Sequence, residues 1–464
     1  PISNILPQYS TLYLTSFGSE IALQGICFFI TKLSEINWPL EETKRWEELL
    51  LLSLERKEIV IQNLAIEGVK QFYDKYPISD TQLQNFIGKL DFTMDPIVRS
   101  GYSRALSVLP HNVLVDNNDW IFNAITKICV YEENGSNNDV ESRKYAIQAI
   151  TNFTLNSNIT KEQYDIVLDL LFNGMKDYSI DNRGDIGSVV REQCMKSFEE
   201  VVPFGTSNNF IIDSSIYIQV INELLQQCVE KINRIRVVAC KTLINLIWKN
   251  EPRIPEGVIP KIKLLENAFL RDDVDFRYVN TNDLYDRLIP LIIIPEFRTS
   301  ILTGLVVSVG GITESLVRDS STPLLKFISE LPKDDMTIND FMDSLLSIFA
   351  NYINDDRVTI PLLMVLDLLL SSNSFEKLQN DDEDLKHNIM QRLLSYLVHP
   401  FPRIRKLTAE QFYLALLNIE NKKISLDFNE DLELNDDDDD DDFEFEDEDE
   451  NTEQAKNILL QTDW

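Results

Sequence analysis

Charged side chains are abundant in this sequence, but few have the spacing that a chemical site requires. The segment from Asp181 to Glu192 has the length of a calcium-binding loop and carries acids at its first, fifth and twelfth positions. Arg183 stands at the third position, where such a loop needs an oxygen ligand, and Ile186 stands where it needs glycine. The segment is therefore not predicted to bind calcium.

The histidines do not form a catalytic or metal-binding group either. They stand at positions 111, 387 and 399, outside metal-ligand spacing of one another and of any cysteine pair. The sequence also lacks the glycine-rich phosphate loop GxxxxGKS/T and the nucleophile turn GxSxG. We expect no enzymatic activity, no cofactor and no metal site.

Arginine, by contrast, recurs at a regular interval. Four arginines at positions 99, 143, 191 and 236 are 44, 48 and 45 residues apart, and Arg405 has similar surroundings. A small residue follows three positions later in most copies; these are Ala146, Cys194, Ala239 and Thr408, whereas Tyr102 stands in the first copy. A period in the forties is typical of HEAT and armadillo repeats, in which helical hairpins bury their apolar faces against neighbouring hairpins.

The remaining pattern agrees with a helical repeat protein. Leucine- and isoleucine-rich segments with apolar residues three and four positions apart dominate the 464 residues, and only 14 residues are glycine. The sequence predicts an all-α fold, a HEAT/armadillo-type α-solenoid of antiparallel helix pairs. About nine repeats of roughly 45 residues would occupy residues 1–425.

Acidic residues concentrate near the C-terminus. Of the net charge of −33, about half comes from Glu430 to Glu450, which holds 16 acidic residues and no basic one. Because such a run repels itself and buries little apolar surface, residues 426–451 are predicted to be disordered, and 452–464 to return as a helix. The run is interpreted as a solubilising loop or, alternatively, as an attractant for a basic surface. Nucleic acid is not expected to bind.

The cellular setting is predicted from the cysteines and from hydropathy. Five cysteines at no paired spacing are typical of a reducing compartment, which favours a cytoplasmic location. The longest uncharged apolar stretch, Thr299 to Thr313, has 15 residues, fewer than the roughly 20 that a membrane span needs. Because the first residue is Pro1, we expect the chain to be a fragment or a processed product.

Two groups of residues are candidates for partner binding. The repeated arginines are expected to bond a turn acid or carbonyl of an adjacent repeat, with direct partner contact as the alternative. Gly304, Ser308 and Gly311 share one helical face that has almost no side chain. This stripe predicts either tight packing of two helices of the chain or docking of a partner's helix.

Four motifs resemble the tubulin-folding cofactor D family. They lie at Asp177–Glu192, Glu230–Arg236, Gly304–Ser315 and His399–Lys406, in the order in which the family carries them, and Thr462–Trp464 resembles the start of the family's last conserved helix. The resemblance implies the C-terminal portion of a HEAT-repeat chaperone. The polyaspartate run departs from the family pattern.

The resemblance also implies partners. Members of this family capture β-tubulin and assemble or dismantle the αβ-tubulin heterodimer with cofactors E and C and an Arf-like small GTPase. They also help to stimulate GTP hydrolysis, and they work in the cytoplasm at the microtubule cytoskeleton. We take as candidate partner-binding residues Arg183, Asp185, Arg191, Gly304, Ser308, Gly311 and Arg405.

Another acidic HEAT-repeat protein is the alternative, above all a transport receptor that binds basic cargo and a small GTPase. Such receptors should carry rows of tryptophan and asparagine on successive inner helices. The four internal tryptophans here, at 38, 46, 120 and 248, share no repeat position. A phosphatase or chromosome scaffold is a weaker third possibility.

Overall fold

Apolar residues at three- and four-residue spacing fold into helices throughout the described part of the chain. The computed structural model describes residues 20–33, 40–130, 139–271, 276–309, 314–330, 337–352, 356–371, 391, 394–430 and 446–462. Their regular structure is helical apart from one two-stranded hairpin. The predicted all-α fold is confirmed. The chain divides into two units, the first containing residues 1–220 and 242–258 and the second 221–241 and 259–464.

The first unit consists of helix pairs that follow one another along the chain. Its helices are α1 (Glu20–Leu33), α2 (Leu40–Leu54), α3 (Ile59–Lys75), α4 (Asp80–Gly88), α5 (Pro96–Ser107), α6 (His111–Asp116), α7 (Asn118–Cys129), α8 (Val140–Asn156), α9 (Lys161–Met175) and α10 (Ser188–Ser207). The two helices of each pair pack against each other. The second helices of successive pairs, α3, α5, α8 and α10, pack each against the next.

Local side chains explain where several of these helices begin. The Ser79 hydroxyl accepts a hydrogen bond from the main-chain N–H of Gln82, and the Gln82 side chain accepts one from the main chain of Ser79. Thr160 and Gln163 form the same reciprocal cap before α9. Pro96 begins α5, where its missing N–H costs nothing. Each cap satisfies donors that a helix start leaves free.

The second unit contains most of α11 (Ser215–Cys228) and of α12 (Asn233–Ile244). It continues with α13 (Ile262–Ala268), α14 (Phe276–Val279), α15 (Thr281–Leu288), a 3₁₀ turn (Ile289–Ile293), α16 (Pro295–Val309), α17 (Glu314–Glu330), α18 (Thr337–Asn351), α19 (Asp356–Ser371), α20 (Pro402–Glu430) and α21 (Glu446–Gln461). Here α16, α19 and α20 pack one on the next. Among the described helices, none has both the length and the apolarity of a membrane span.

The domain boundaries predicted near the C-terminus fall largely on residues that the structure does not describe. The polyaspartate run lies within 431–445, and Trp464 is also outside the described residues. Helix α20 continues to Glu430 and α21 begins at Glu446, so helix extends into both ends of the segment 426–451 predicted to be disordered. Helix α21 packs against α20. The remainder of this boundary stays a prediction.

Gly304 brings α16 into close contact with the end of α11. A Cβ atom at this position would overlap the carbonyl oxygen of Gln226 and would lie 2.6 Å from a methyl group of Val229. One turn later, the buried Ser308 hydroxyl donates a hydrogen bond to the main-chain oxygen of Val229. These two residues of the stripe therefore pack helices of the same unit together. Gly311 lies outside the described residues.

None of the five cysteines is in a disulfide, and all five are buried. Burial raises the pKa of the Cys27, Cys129 and Cys228 thiols above the ordinary value. Because the thiolate is the reactive form, these side chains behave as small apolar core residues at neutral pH.

We predict that Gly304→Ala lowers the free energy of unfolding by about 1–3 kcal/mol, because the added methyl group overpacks the α11–α16 contact. Urea unfolding followed by circular dichroism measures it. Gly25→Ala is the matched control, since a Cβ there meets nothing within 4 Å; it should be neutral or stabilise by up to about 1 kcal/mol. Equal stability of the two variants would contradict the close packing.

We also predict that a thiol-reactive disulfide reagent modifies the native chain far more slowly than the chain in denaturant, where five thiols should react. Rapid modification of any cysteine under native conditions would show that its helix opens readily or is packed differently.

Candidate partner-binding site

The repeated arginines occupy one position in the helices that carry them. Arg99, Arg143, Arg191, Arg236 and Arg405 are each the fourth residue of α5, α8, α10, α12 and α20, respectively. The first four are buried, and Arg405 is half-buried. Helical side chains point toward the N-terminus of their helix, so a long side chain at this position reaches back over the preceding turn.

Several of these arginines donate hydrogen bonds to main-chain oxygens of that turn. The bonds join Arg99 Nη1 to Met94 O (2.6 Å), Arg191 Nη1 to Asp177 O (2.7 Å), Arg236 Nη1 to Glu230 O (2.7 Å) and Arg405 Nη1 to His399 O (2.8 Å). A turn between two helices leaves such carbonyls without helical partners. The guanidinium, with five N–H donors, satisfies them.

In three further helices, the fourth residue also bonds a preceding main-chain oxygen. The spacing of the arginines did not identify these residues. Gln62 of α3 bonds the last carbonyl of the preceding helix, and Arg298 of α16 and Thr359 of α19 each bond a carbonyl of the turn before their helix. The bonds join Gln62 Nε2 to Leu54 O (2.8 Å), Arg298 Nε to Ile292 O (3.0 Å) and Thr359 Oγ1 to Tyr352 O (2.8 Å). We call the eight fourth residues the turn clamp.

The prediction for the repeated arginines is correct about the kind of group they bond and partly wrong about the repeat in which that group lies. The bonds do go to turn acids and carbonyls, but most reach the turn of the same helix pair rather than that of an adjacent repeat. Bridges to a later element exist at Gln62, which also bonds Ile97 O at 3.1 Å, at Arg143, and at Arg236, whose Nε also bonds Tyr278 O at 3.5 Å. The backward tilt of helical side chains explains the difference.

Two clamp arginines converge on Asp177, in the turn between α9 and α10. Arg143 bonds its carboxylate through Nη2 at 2.6 Å and Nε at 3.1 Å, while Arg191 bonds its main-chain oxygen. Arg191 also pairs with Asp185 at 2.9 Å and lies 4.0 Å from the centre of the Tyr178 ring. Because Asp177 and both arginines are buried, the cluster fixes the turn rigidly.

A hairpin follows this turn and carries the most exposed of the candidate residues. Strand β1 (Ile180–Asp181) pairs antiparallel with β2 (Gly184–Asp185). Gly184 has φ +101°, which residues with a Cβ rarely adopt. The Arg183 side chain is 71% exposed, and its Nε and Nη2 bond Asp181 Oδ2 at 2.9 and 2.7 Å. This hydrogen bonding lowers the pKa of Asp181.

The structure thus separates the candidate residues by their surroundings. Arg183, Asp185 and Arg191 lie together. Asp185 and Arg191 form an ion pair with each other, and Arg191 also bonds the main-chain oxygen of Asp177 in the turn. Gly304 and Ser308 contact α11, and Arg405 bonds the oxygens of the turn before α20.

The acids of the calcium-like loop and the two described histidines have other partners. Asp181 pairs with Arg183 and Asp185 with Arg191. The Nδ1 atom of His111 lies 2.7 Å from a main-chain oxygen, and His387 lies outside the described residues. Within the described ranges, no group of three His, Cys, Asp or Glu side chains is placed to hold a metal ion.

Comparison with known proteins finds one matching family and a named relative. Residues 218–407 match the family described as "Tubulin folding cofactor D C terminal". The chain is also 23% identical over 366 residues to the tubulin-specific chaperone D of Dictyostelium discoideum. The resemblance to tubulin-folding cofactor D is confirmed. The match covers 68% of this chain and 25% of the Dictyostelium chaperone, so the chain spans about a quarter of that protein.

Residues 218–407 of the cofactor D match include clamp residues Arg236, Arg298, Thr359 and Arg405. Among solved structures, an engineered protein is 14% identical with a TM-score of 0.31, covering 89% of this chain and 98% of its own. Importin beta is 10% identical with a TM-score of 0.31, and the match covers 82% of this chain and 52% of the importin beta chain.

We predict that Arg143→Met lowers the free energy of unfolding by about 3–5 kcal/mol, because it leaves the buried Asp177 carboxylate without its ion pair. Adding Asp177→Asn should restore part of the loss, a coupling that a double-mutant cycle measures.

Lys144→Met is the control for this series. It removes a neighbouring charge whose pair with Glu141 lies at the surface, and we expect a change of no more than about 1 kcal/mol. Similar losses for the two single variants would contradict the role assigned to the Asp177 cluster.

Proposed function

We propose that this chain is part of a tubulin-folding cofactor that binds β-tubulin and helps to assemble or dismantle the αβ-tubulin heterodimer. The observation that carries the proposal is the match of residues 218–407 to the C-terminal region of tubulin-folding cofactor D. The relative named as a tubulin-specific chaperone supports it over a longer part of the chain.

The proposal includes further partners. Cofactors E and C and an Arf-like small GTPase would act with this chain in the cytoplasm, at the microtubule cytoskeleton. The chain would also support the stimulation of GTP hydrolysis. Its part is binding: a series of packed helix pairs offers a broad surface, which large protein interfaces need more than they need a deep pocket.

We assign the first contact with tubulin to the hairpin formed by β1 and β2. Ile180 is 59% exposed, and Arg183 is held in one direction by Asp181. Arginine anchors beside an apolar side chain are frequent hot spots of protein interfaces, and a guanidinium bonded on one edge can still bind a partner's carboxylate. Asp185 and Arg191 hold the hairpin in position.

We predict that the chain captures purified tubulin and that Arg183→Ala weakens capture about tenfold, the loss expected for one charge-assisted hydrogen bond. Arg253→Ala is the matched control, because Arg253 is an exposed arginine with its own local acid, Glu256; it should leave capture unchanged. Pull-down with titrated tubulin measures the affinity, and circular dichroism confirms that both variants fold.

The same assay distinguishes the alternative. Retention of a basic transport cargo or a Ran-type GTPase from extract, with no retention of tubulin, would favour an acidic transport receptor. Tubulin capture that is equally strong in the two arginine variants would leave the family function standing and would remove the hairpin from the interface.

A further inference from the structure

The turn before α20 is fixed by hydrogen bonds and by prolines. The main-chain N–H of Phe401 donates to Nδ1 of His399 at 3.2 Å. The clamp residue Arg405 donates through Nη1 to the main-chain oxygens of His399 at 2.8 Å and of Pro400 at 3.0 Å. Phe401 stands between Pro400 and Pro402, whose rings restrict the backbone on either side of it. The turn therefore presents its side chains from a restricted backbone.

Two apolar side chains, Val398 and Phe401, are exposed on this turn. Val398 is 81% exposed, and Phe401 is 50% exposed although its ring packs against that of His399, with the ring centres 5.5 Å apart. Because Val398 and Phe401 are three residues apart, their Cα atoms lie within about 11 Å of each other. Single exposed apolar residues are normal, but two this close on a fixed turn offer a partner apolar surface without a loop to order first. We call residues 398–406 the Phe401 segment.

Two exposed cations, Arg403 and Lys406, follow in the first two turns of α20. Their spacing of three residues places them on the same side of the helix. Neither side chain forms an ion pair or a hydrogen bond within the described part of the chain, not even with Glu410, the acid one turn after Lys406. Cations at the start of a helix lower its stability, so helix formation does not account for this pair.

We propose that the Phe401 segment docks an acidic segment of a partner protein that also carries apolar side chains. The Phe401 segment holds three cations and no acid, in a chain whose net charge is −33. Carboxylates of the partner pair with Arg403 and Lys406, and its apolar side chains cover Val398 and Phe401. A guanidinium can bind a carboxylate through two parallel hydrogen bonds, which fixes its orientation. The segment lies in the second unit and the Arg183 hairpin in the first, so this inference does not rest on the tubulin proposal.

The probe is a labelled peptide that alternates glutamate with leucine and phenylalanine. A second peptide has glutamine in place of every glutamate. Fluorescence anisotropy with the full chain should show binding of the glutamate peptide that weakens with added salt, and binding of the glutamine peptide about tenfold weaker or more. Because the net charge of −33 repels an anionic peptide as a whole, non-specific attraction does not explain binding of the glutamate peptide.

Variants locate the peptide on the chain. Arg403→Gln and Val398→Ser should each weaken binding of the glutamate peptide about fivefold, since each removes one of a few contacts. Arg234→Gln is the control for the first, because Arg234 is exposed and is likewise the second residue of its helix, α12. Ile212→Ser is the control for the second, because Ile212 is 82% exposed. Both controls should leave binding unchanged, and circular dichroism confirms that all four variants fold.

Several outcomes would overturn the proposal. They are absence of binding, equal affinity for the two peptides, and equal affinity of the Arg403→Gln and Arg234→Gln variants for the glutamate peptide. Occupation of the Phe401 segment by the acidic run of this chain, Glu430 to Glu450, would also overturn it. Within one chain the run would block the peptide, and between two copies it would give a dimer in sedimentation velocity that Arg403→Gln dissociates.

Discussion

Buried carbonyl oxygens in the turns between paired helices need hydrogen-bond donors, and the regularity of this chain follows from that requirement. A helix end leaves several carbonyls without helical partners, and an unpaired one costs about 1–3 kcal/mol when buried. The fourth residue of the next helix is the nearest position whose side chain points back over the turn. Arginine serves best there because it offers five donors, although a cation near a helix start is unfavourable by a few tenths of a kcal/mol or more.

The same requirement explains how much could be predicted from the sequence. Arg99, Arg143, Arg191 and Arg236 were identifiable because the same residue type returns at nearly equal intervals. Arg298 was missed because α13, α14 and α15 intervene between α12 and α16 and lengthen the interval from Arg236 to 62 residues. Gln62 and Thr359 could not be found by residue type, since an amide or a hydroxyl takes the place of the guanidinium. A search for a polar fourth residue after each predicted helix start would have found all three.

The candidate site was less predictable, because residue types alone do not say what a surface faces. Gly304 and Ser308 suit close approach of any backbone, and the sequence left internal packing and partner docking open. The position of Gln226 and Val229 assigns these two residues to packing within the chain. The exposure of Arg183 likewise depends on the Asp177 cluster beneath it, whose partners lie 34 and 14 residues away along the chain. Gly311 stays a prediction.

Rigid turns also explain why partner contacts are expected at the turns rather than along the helices. The second helices are largely buried against one another. A partner that binds an ordinary loop must order it at a cost in conformational entropy. In this chain clamp residues already hold described turns by hydrogen bonds, which reduces that cost. The hairpin, which presents the exposed Arg183, follows one such turn.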